Sequence, residues 1–504
     1  MVRKIACLLL CLLIPAQALA VSQSPYPGYT YDVWGRSVPA PSGYVCHRVV
    51  FPQDQGAGEI KKAQDLFVYQ DKLYIVDTGN NRIIALDENY EFTLELSSFV
   101  LPDGTATTLS SPKGIYIRDD RMMIADTGNG RVLVCDMEGR VDMVLTKPVT
   151  EFISEQASFR PAKVGMDASG FIYVMGEGVY QGLISYNSKG EFTGFYGSNK
   201  VVVDFSVIVG QLWKKLLSQE QAQSMERFVP VEMANLFVDS EDFIFTVTNG
   251  NMQSSERSEG KLQRLNALGT NVLRYNEQDV IASGGAMYEK DIYGDVEYAY
   301  VREKMADSIL VDVHVDEDGF FSALDRERGR VFQYDPESNL LFIFGGIGKQ
   351  RGTFDIPSAI EKFGEYYVVL DESKNNLTVF EPTEYARNVL AASKLYNEGL
   401  YAQAEPLWRK VLEVNANHTL AYRSIGKHYL ELKDYEQALN YLKLGQDREA
   451  YSLAYAQWRK VWLQENILWL LPVVAAAVLL LRAALHRVLK MLGFEHKKTR
   501  IVFH

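Results

Sequence analysis

The chain predicts a mainly β fold, a six-bladed β-propeller, followed by a small α-helical domain and one transmembrane helix. Three observations carry this. A unit of near 48 residues recurs six times, its second strands ending near 77, 126, 176, 248, 325 and 371. Within "DLFVYQDKLYIVDTGNNRIIALDENYEFTLEL" apolar and other residues alternate with period two, which suits strands packed face to face, and four strands per unit at this spacing mean propeller blades. From Tyr385 the period becomes helical, and Ile467 to Leu481 is fifteen residues without a charge.

Taken in chain order, residues 1–20, "MVRKIACLLLCLLIPAQALA", have Arg3 and Lys4, an apolar run, and Ala18 and Ala20 spaced as a small-residue cleavage site. That is the pattern of a secretory signal peptide. Cys11 lacks the small residues that a lipid-attachment site would place before it. Residues 21–383 form the propeller, with insertions at 197–230 and 276–309 that stretch two of the repeat intervals. The last blade ends one strand short at "LTVFE", and the strand at 43–50, "GYVCHRVV", is unassigned. A ring closes when one terminus supplies a strand to the blade of the other, so 43–50 is expected to complete blade six. Cys46 then lies on blade six and Cys135 on blade two, which are not neighbours, and a disulfide between them is geometrically excluded.

Residues 384–465 contain Gly399, Tyr401, Ala404 and Trp408, then Tyr422, Gly426, Tyr429, Tyr435, Ala438 and Leu442. Small residues where two helices touch, with aromatics filling the holes, resemble two tetratricopeptide (TPR) repeats. A helix from near Arg448, with Tyr451, Tyr455 and Trp458, is the expected cap. It leads into a transmembrane helix at 466–489, provided that Arg482 and Arg487 extend their stems towards the headgroups. The tail, 490–504, is basic, which puts the C-terminus in the cytoplasm and the propeller and repeats outside a single-pass cell membrane protein. The whole chain carries −12; the leader contributes +2 and the segment after residue 481 contributes +5, leaving −19 between them. Nucleic acid is therefore not an expected partner.

The core D-x-x-N-x-R-[IV], here Asp77, Asn80, Arg82 and again Asp126, Asn129, Arg131, resembles the NHL repeat family of six-bladed propellers, as does the link "GGIGKQRGTFDIPSAI". Blades five and six, with Asp325, Arg330 and Asp371, match reasonably; three and four are degenerate. Together with the ends, the arrangement is similar to exported, membrane-anchored proteins of bacteria. An asymmetric active site needs each catalytic group once, whereas an acid recurring in four blades answers a need of every blade. The repeated Asp is expected to accept backbone N–H groups of its loop while Arg bridges to a neighbouring blade.

Function is then expected where blades differ. Aligned on the family pattern P-x-G-I, the Gly position becomes Asp65, Gly114, Lys163, Asn235, Asp312 and Ala359. Asp65, Lys163, Asn235 and Asp312 are the candidate ligand-binding residues, ringing one mouth of the channel. Propellers resembling gluconolactonase bind a divalent cation with Glu, Asn and Asp; the equivalents here are Gln64, Lys113, Ala162, Ala234, Val311 and Ser358, a poor cage for a hard cation. His47 and His314 are too few for a histidine-held zinc, and His314, between Val313 and Val315, reads as a core or channel-lining residue. There is no G-x-S-x-G, H-E-x-x-H or phosphate loop, and "GEGVYQG" at 176–182 joins two strands with no helix to hold a phosphate. The insertion at 276–309, with acids among tyrosines, suits either a protein or carbohydrate contact or a plain solvated loop. These features favour a recognition or scaffold protein, without catalytic residues, metal or cofactor. It would bind a protein, peptide or glycan outside the membrane, with a membrane transporter complex as a candidate partner. The alternative is a divalent-metal-dependent lactonase or lyase using the channel.

Overall fold

The computed structural model describes residues 24–492 except 33–34, 151–152, 154–155, 157, 198–232, 249–260, 274–292, 296–298, 302–303 and 307. The expected signal peptide, most of the basic tail and most of both insertions lie outside the described residues. Contacts divide the chain into two units: residues 1–400 with 409–417, and 401–408 with 418–504.

The first unit is a ring of six antiparallel sheets. Blade one pairs Asp65–Tyr69, Lys72–Asp77, Arg82–Leu86 and Phe92–Leu96 in that order. The inner strands of the others are Gly114–Arg118, Pro161–Met166, Met233–Val238, Leu310–Val315 and Pro357–Phe363. Each inner strand packs beside the next, and the sixth packs beside the first. Blade four has three strands among the described residues, extended by a bridge from Leu265 to Asn271. The outer edge of blade six is Tyr44–Val50 from the start of the chain, running antiparallel to Asn376–Pro382 with Val50 opposite Leu377 and Tyr44 opposite Pro382. Cys46 and Cys135 are free thiols.

Alternation of apolar and polar residues is narrower than the sequence pattern suggests. In blade one it survives in the outermost strand, while Leu73 to Asp77 of the second strand are all buried. Every sheet is sandwiched between two others, so a central strand needs apolar residues on both faces. Leu73 and Ile75 join the core shared with blade six, and Tyr74 and Val76 join the core shared with blade two. Each such side chain contributes about 1.5–3 kcal/mol by leaving water. In five blades the pairing of the third and fourth strands slips by one residue, at Ala85/Leu86, Val134/Cys135, Ser185/Tyr186, Gln333/Tyr334 and Val379/Phe380. A bulge of this kind adds the twist that lets a sheet fan out from an axis.

Helix α1, Glu384–Asn397, follows the ring in this unit; Thr383 caps it by accepting from the Ala386 N–H at 3.2 Å, and Tyr385 packs edge-on against Phe342. Helix α2 is Tyr401–Val414. The second unit holds α3, Thr419–Glu431, and α4, Tyr435–Leu444, joined by a short turn. Gly426 is required at their crossing, because a Cβ there would stand 2.6 Å from Leu442 Cγ. Helix α5, Arg448–Met491, is capped by Asp447 and runs for 44 residues, about 66 Å at 1.5 Å per residue. Ala454 of α5 packs with Ala438 and Leu442, and further along a window of mean hydropathy 2.3 with no buried residue makes α5 long and apolar enough to cross a membrane.

Candidate functional site

Strand register puts the six candidate positions at one level of the ring. Asp65 lies opposite Val76, Gly114 opposite Ala125, Lys163 opposite Met175, Asn235 opposite Val247, Asp312 opposite Leu324 and Ala359 opposite Leu370. The four polar residues are less than a tenth exposed. They meet one another in two pairs. The Lys163 ammonium donates to the Asp65 carboxylate, linking blades three and one. Blade two stands between them and has Gly114 at this level, where a Cβ would sit 2.4 Å from the Ala162 carbonyl oxygen and 2.9 Å from Lys163 Cα. The Asn235 amide donates to Asp312, linking blades four and five.

Both acids use their second oxygen in the same way. Asp65 Oδ2 accepts the Ile115 N–H at 2.9 Å, and Asp312 Oδ2 accepts the Ile360 N–H at 2.6 Å. Each therefore ties its own blade to the inner strand of the next, where the residue at the shared level is small, Gly114 or Ala359. Two residues further along, His314 Nδ1 lies 2.8 Å from Glu361 Oε2, joining blades five and six, although the contact is off the N–H axis and makes no hydrogen bond of normal geometry. Burial raises the Asp65 carboxyl against the pull of Lys163, pushes Asp312 up to about 8, and raises Glu361 against the pull of His314. Glu361 escaped the sequence reading; a lone acid inside the apolar strand "PSAIEKF", two residues beyond Ala359, was its signal.

The repeated acids do a different task. Asp77 Oδ1 accepts the Lys61 N–H at 2.8 Å, Asp126 the Ser110 N–H at 2.7 Å, Asp325 the Ile309 N–H at 3.2 Å, and Asp371 Oδ2 the Asp355 N–H at 2.6 Å. The partner is always sixteen residues upstream, on the connection entering the same blade. In blades one and two the other oxygen accepts from Asn80 and Arg82, and from Asn129 and Arg131, all at 2.8 Å. The expected bridge from Arg to a neighbouring blade is corrected: Arg82 reaches the Ala57 carbonyl at 2.9 Å and Arg131 the Thr108 carbonyl at 3.1 Å, both on the incoming connection. A guanidinium beside its own blade's carboxylate has no reach left for the next sheet. In blades one and six the step to the next blade is made by the residue four after Asp, which has positive φ. Asn81 accepts from the Ser111 N–H at 2.7 Å and Asn375 from the Lys62 N–H at 3.3 Å; sequence reading passed over this position. Arg330 departs from the pattern, donating to the Gly345 carbonyl.

At the positions next to the shared level, Lys113 pairs with Glu177, which also binds Arg160 at 2.7 Å. A lysine already neutralised there, with Ala162, Ala234 and Val311, does not fit a divalent cation. Among the described residues no group of three or more His, Cys, Asp or Glu side chains is arranged to hold a metal ion. His47 sits on the outermost strand of blade six, 3.2 Å from Glu381. The turn acids of "DASG" and "DEDG" resemble ion loops only in composition: Asp167 and Asp316 each accept two N–H groups of their own turn.

No protein-family model matches the chain, and no curated protein matches it in sequence. Solved structures are similar to it in fold. Virginiamycin B lyase from Staphylococcus aureus is 10% identical, covering 67% of this chain and 99% of its own, with a TM-score of 0.39. A protein of unknown function from Bacteroides thetaiotaomicron is 12% identical over 71% of this chain and 76% of its own, with a TM-score of 0.39. BamB from Moraxella catarrhalis is 10% identical over 63% and 71%, with a TM-score of 0.29. No side chain of theirs is carried over to this chain.

Proposed function

We propose that the chain is a membrane-tethered recognition or scaffold protein. In this reading the NHL-type propeller and a TPR-like helical pair stand outside the membrane, α5 is the anchor, and the C-terminus is cytoplasmic. The propeller and the repeats bind a protein, peptide or glycan, and a membrane transporter complex is a candidate neighbour. One observation carries it. Lys163 with Asp65 and Asn235 with Asp312 spend their polar groups on each other, so they serve as fastenings between blades, and recognition falls to the rim. The unequal connections around blades three to five supply the variety that a rim needs.

The test is photo-crosslinking from exposed rim positions such as Tyr180 and Leu268 in native membranes, followed by identification of the neighbours. The same few partners from independent preparations support the proposal, and no reproducible partner sinks it. A lactonase or lyase would announce itself differently, as a rise in melting temperature on adding a divalent cation that a chelator reverses.

A further inference from the structure

Blade five breaks the repeat in a specific way. Where blades one and two have Asn80 and Asn129, three residues after the acid, blade five has Arg328. Asn80 and Asn129 hold their own blade's carboxylate; the Arg328 side chain instead pairs with Asp295, and both are buried, at 7% and 4% exposure. Asp295 belongs to the long connection between blades four and five and to no blade strand. Its own N–H donates to Ser308 Oγ at 2.8 Å, and the adjacent Tyr293 packs 5.4 Å from the Tyr334 ring.

Two further bonds to Asp295 come from the far end of the chain. Tyr29 and Tyr31 donate their hydroxyls to Oδ1 at 2.5 and 2.6 Å. Both lie on a short hairpin strand, Tyr29–Tyr31, paired with Ser37–Pro39. Arg330, which in blades one and two would pair with the blade's Asp, lies 5.5 Å from the centre of the Tyr26 ring and 5.3 Å from that of Tyr29. Arg328 through Asp295, and Arg330 directly, thus serve the chain's first described residues, while Arg326 of the same loop turns to Glu372. The ring itself does not require them, since Tyr44–Val50 closes it separately.

We propose that residues 26–31 form a strap that locks Tyr293–Asp295, ahead of blade five, with Asp295 as the bolt and Arg328 and Arg330 as the seat of bolt and strap. The strap fixes Tyr293–Asp295 without contributing to ring closure, so it can be released while the six sheets stay intact.

The experiment is hydrogen exchange on the full-length protein in detergent. Y29F/Y31F removes two hydroxyls and keeps both rings; R328N restores the residue of blades one and two. For either variant the peptide containing Tyr293–Asp295 should exchange at least tenfold faster, while peptides from Tyr366–Asp371 and Tyr44–Val50 keep their native rates. Unchanged exchange at 293–295 in both variants overturns the lock. Acceleration of the blade-six peptides together with 293–295 overturns it as well, because the strap would then be part of the global fold. If Y29F/Y31F fails to fold, R328N decides alone by the same two readings.

Discussion

Asp126→Asn is the sharpest test of what the recurring acids do. The side chain is fully buried, Oδ1 accepts the Ser110 N–H, and Oδ2 accepts from both Asn129 and Arg131. Asn has the same shape, so no cavity opens. Whichever way the amide turns, its NH2 faces at least one donor, and the Arg131 guanidinium loses its counter-charge while only 15% exposed. Breaking a buried pair from one side costs about 3 kcal/mol or more. For a ring spanning Tyr44 to Pro382, an unfolding entropy of roughly 2.1 cal/mol/K per residue gives roughly 0.7 kcal/mol/K, so the midpoint should fall by about 4 °C. Asp325→Asn should cost clearly less, because it is held by backbone N–H groups and the Ser308 side chain, and the nearby Arg328 keeps Asp295 as its partner. Thermal unfolding followed by β-sheet circular dichroism reads both. A loss under about 0.5 kcal/mol for Asp126→Asn, the range of ordinary surface changes, would refute the fastening argument.

Three further outcomes follow from the same reasoning. Lys163→Met strands the buried Asp65 carboxylate and should destabilise the ring by about 3 kcal/mol or more, with much of the loss recovered in the Lys163→Met/Asp65→Asn double variant; denaturant titration of the four proteins measures the coupling. Gly114→Val forces side-chain atoms towards Ala162 and Lys163 and should cost at least about 1–3 kcal/mol by overpacking, read as a lowered denaturation midpoint. Burial pushes His418 down to about 4, so the folded second unit refuses a proton that the unfolded chain accepts near 6.5. Its contribution is whole above pH 6.5 and is lost as pH falls towards 4, about 3 kcal/mol in all. Helix content against pH should show this loss, and His418→Gln should flatten it.

Much of the ring was legible because its causes are local and repeated. The Asp77 and Asp126 loops announce themselves by spacing, and inner-strand alignment reaches Asp65, Lys163, Asn235 and Asp312 at one level because register follows from pairing. What pairs with what was not legible. Lys163 reaching past Gly114 to Asp65 depends on ring curvature, which no single blade encodes. The tie from Asn81 to Ser111 was hidden for another reason: the demand is for positive φ, met by Asn in blades one and six and by Gly130 and Gly329 in blades two and five. Arg328 gave no signal in a loop that matches the repeat through Asp325 and Arg330, because its partner, Asp295, comes from the connection between blades four and five and not from the repeat.

The pairing of Val50 with Leu377 sets a timetable for biogenesis. The first blade strand made must wait, hydrogen-bonding groups unspent, for the last strand of the ring, and a contact so distant along the chain forms slowly even though its entropic cost grows only with the logarithm of the span. A ribosome that stalls anywhere before Pro382 releases a product with two sticky ends, one at the orphan strand and one at the vacant edge beside it. Quality control for this molecule is therefore a matter of its final few dozen β residues, and premature termination there should yield aggregates instead of a smaller soluble ring.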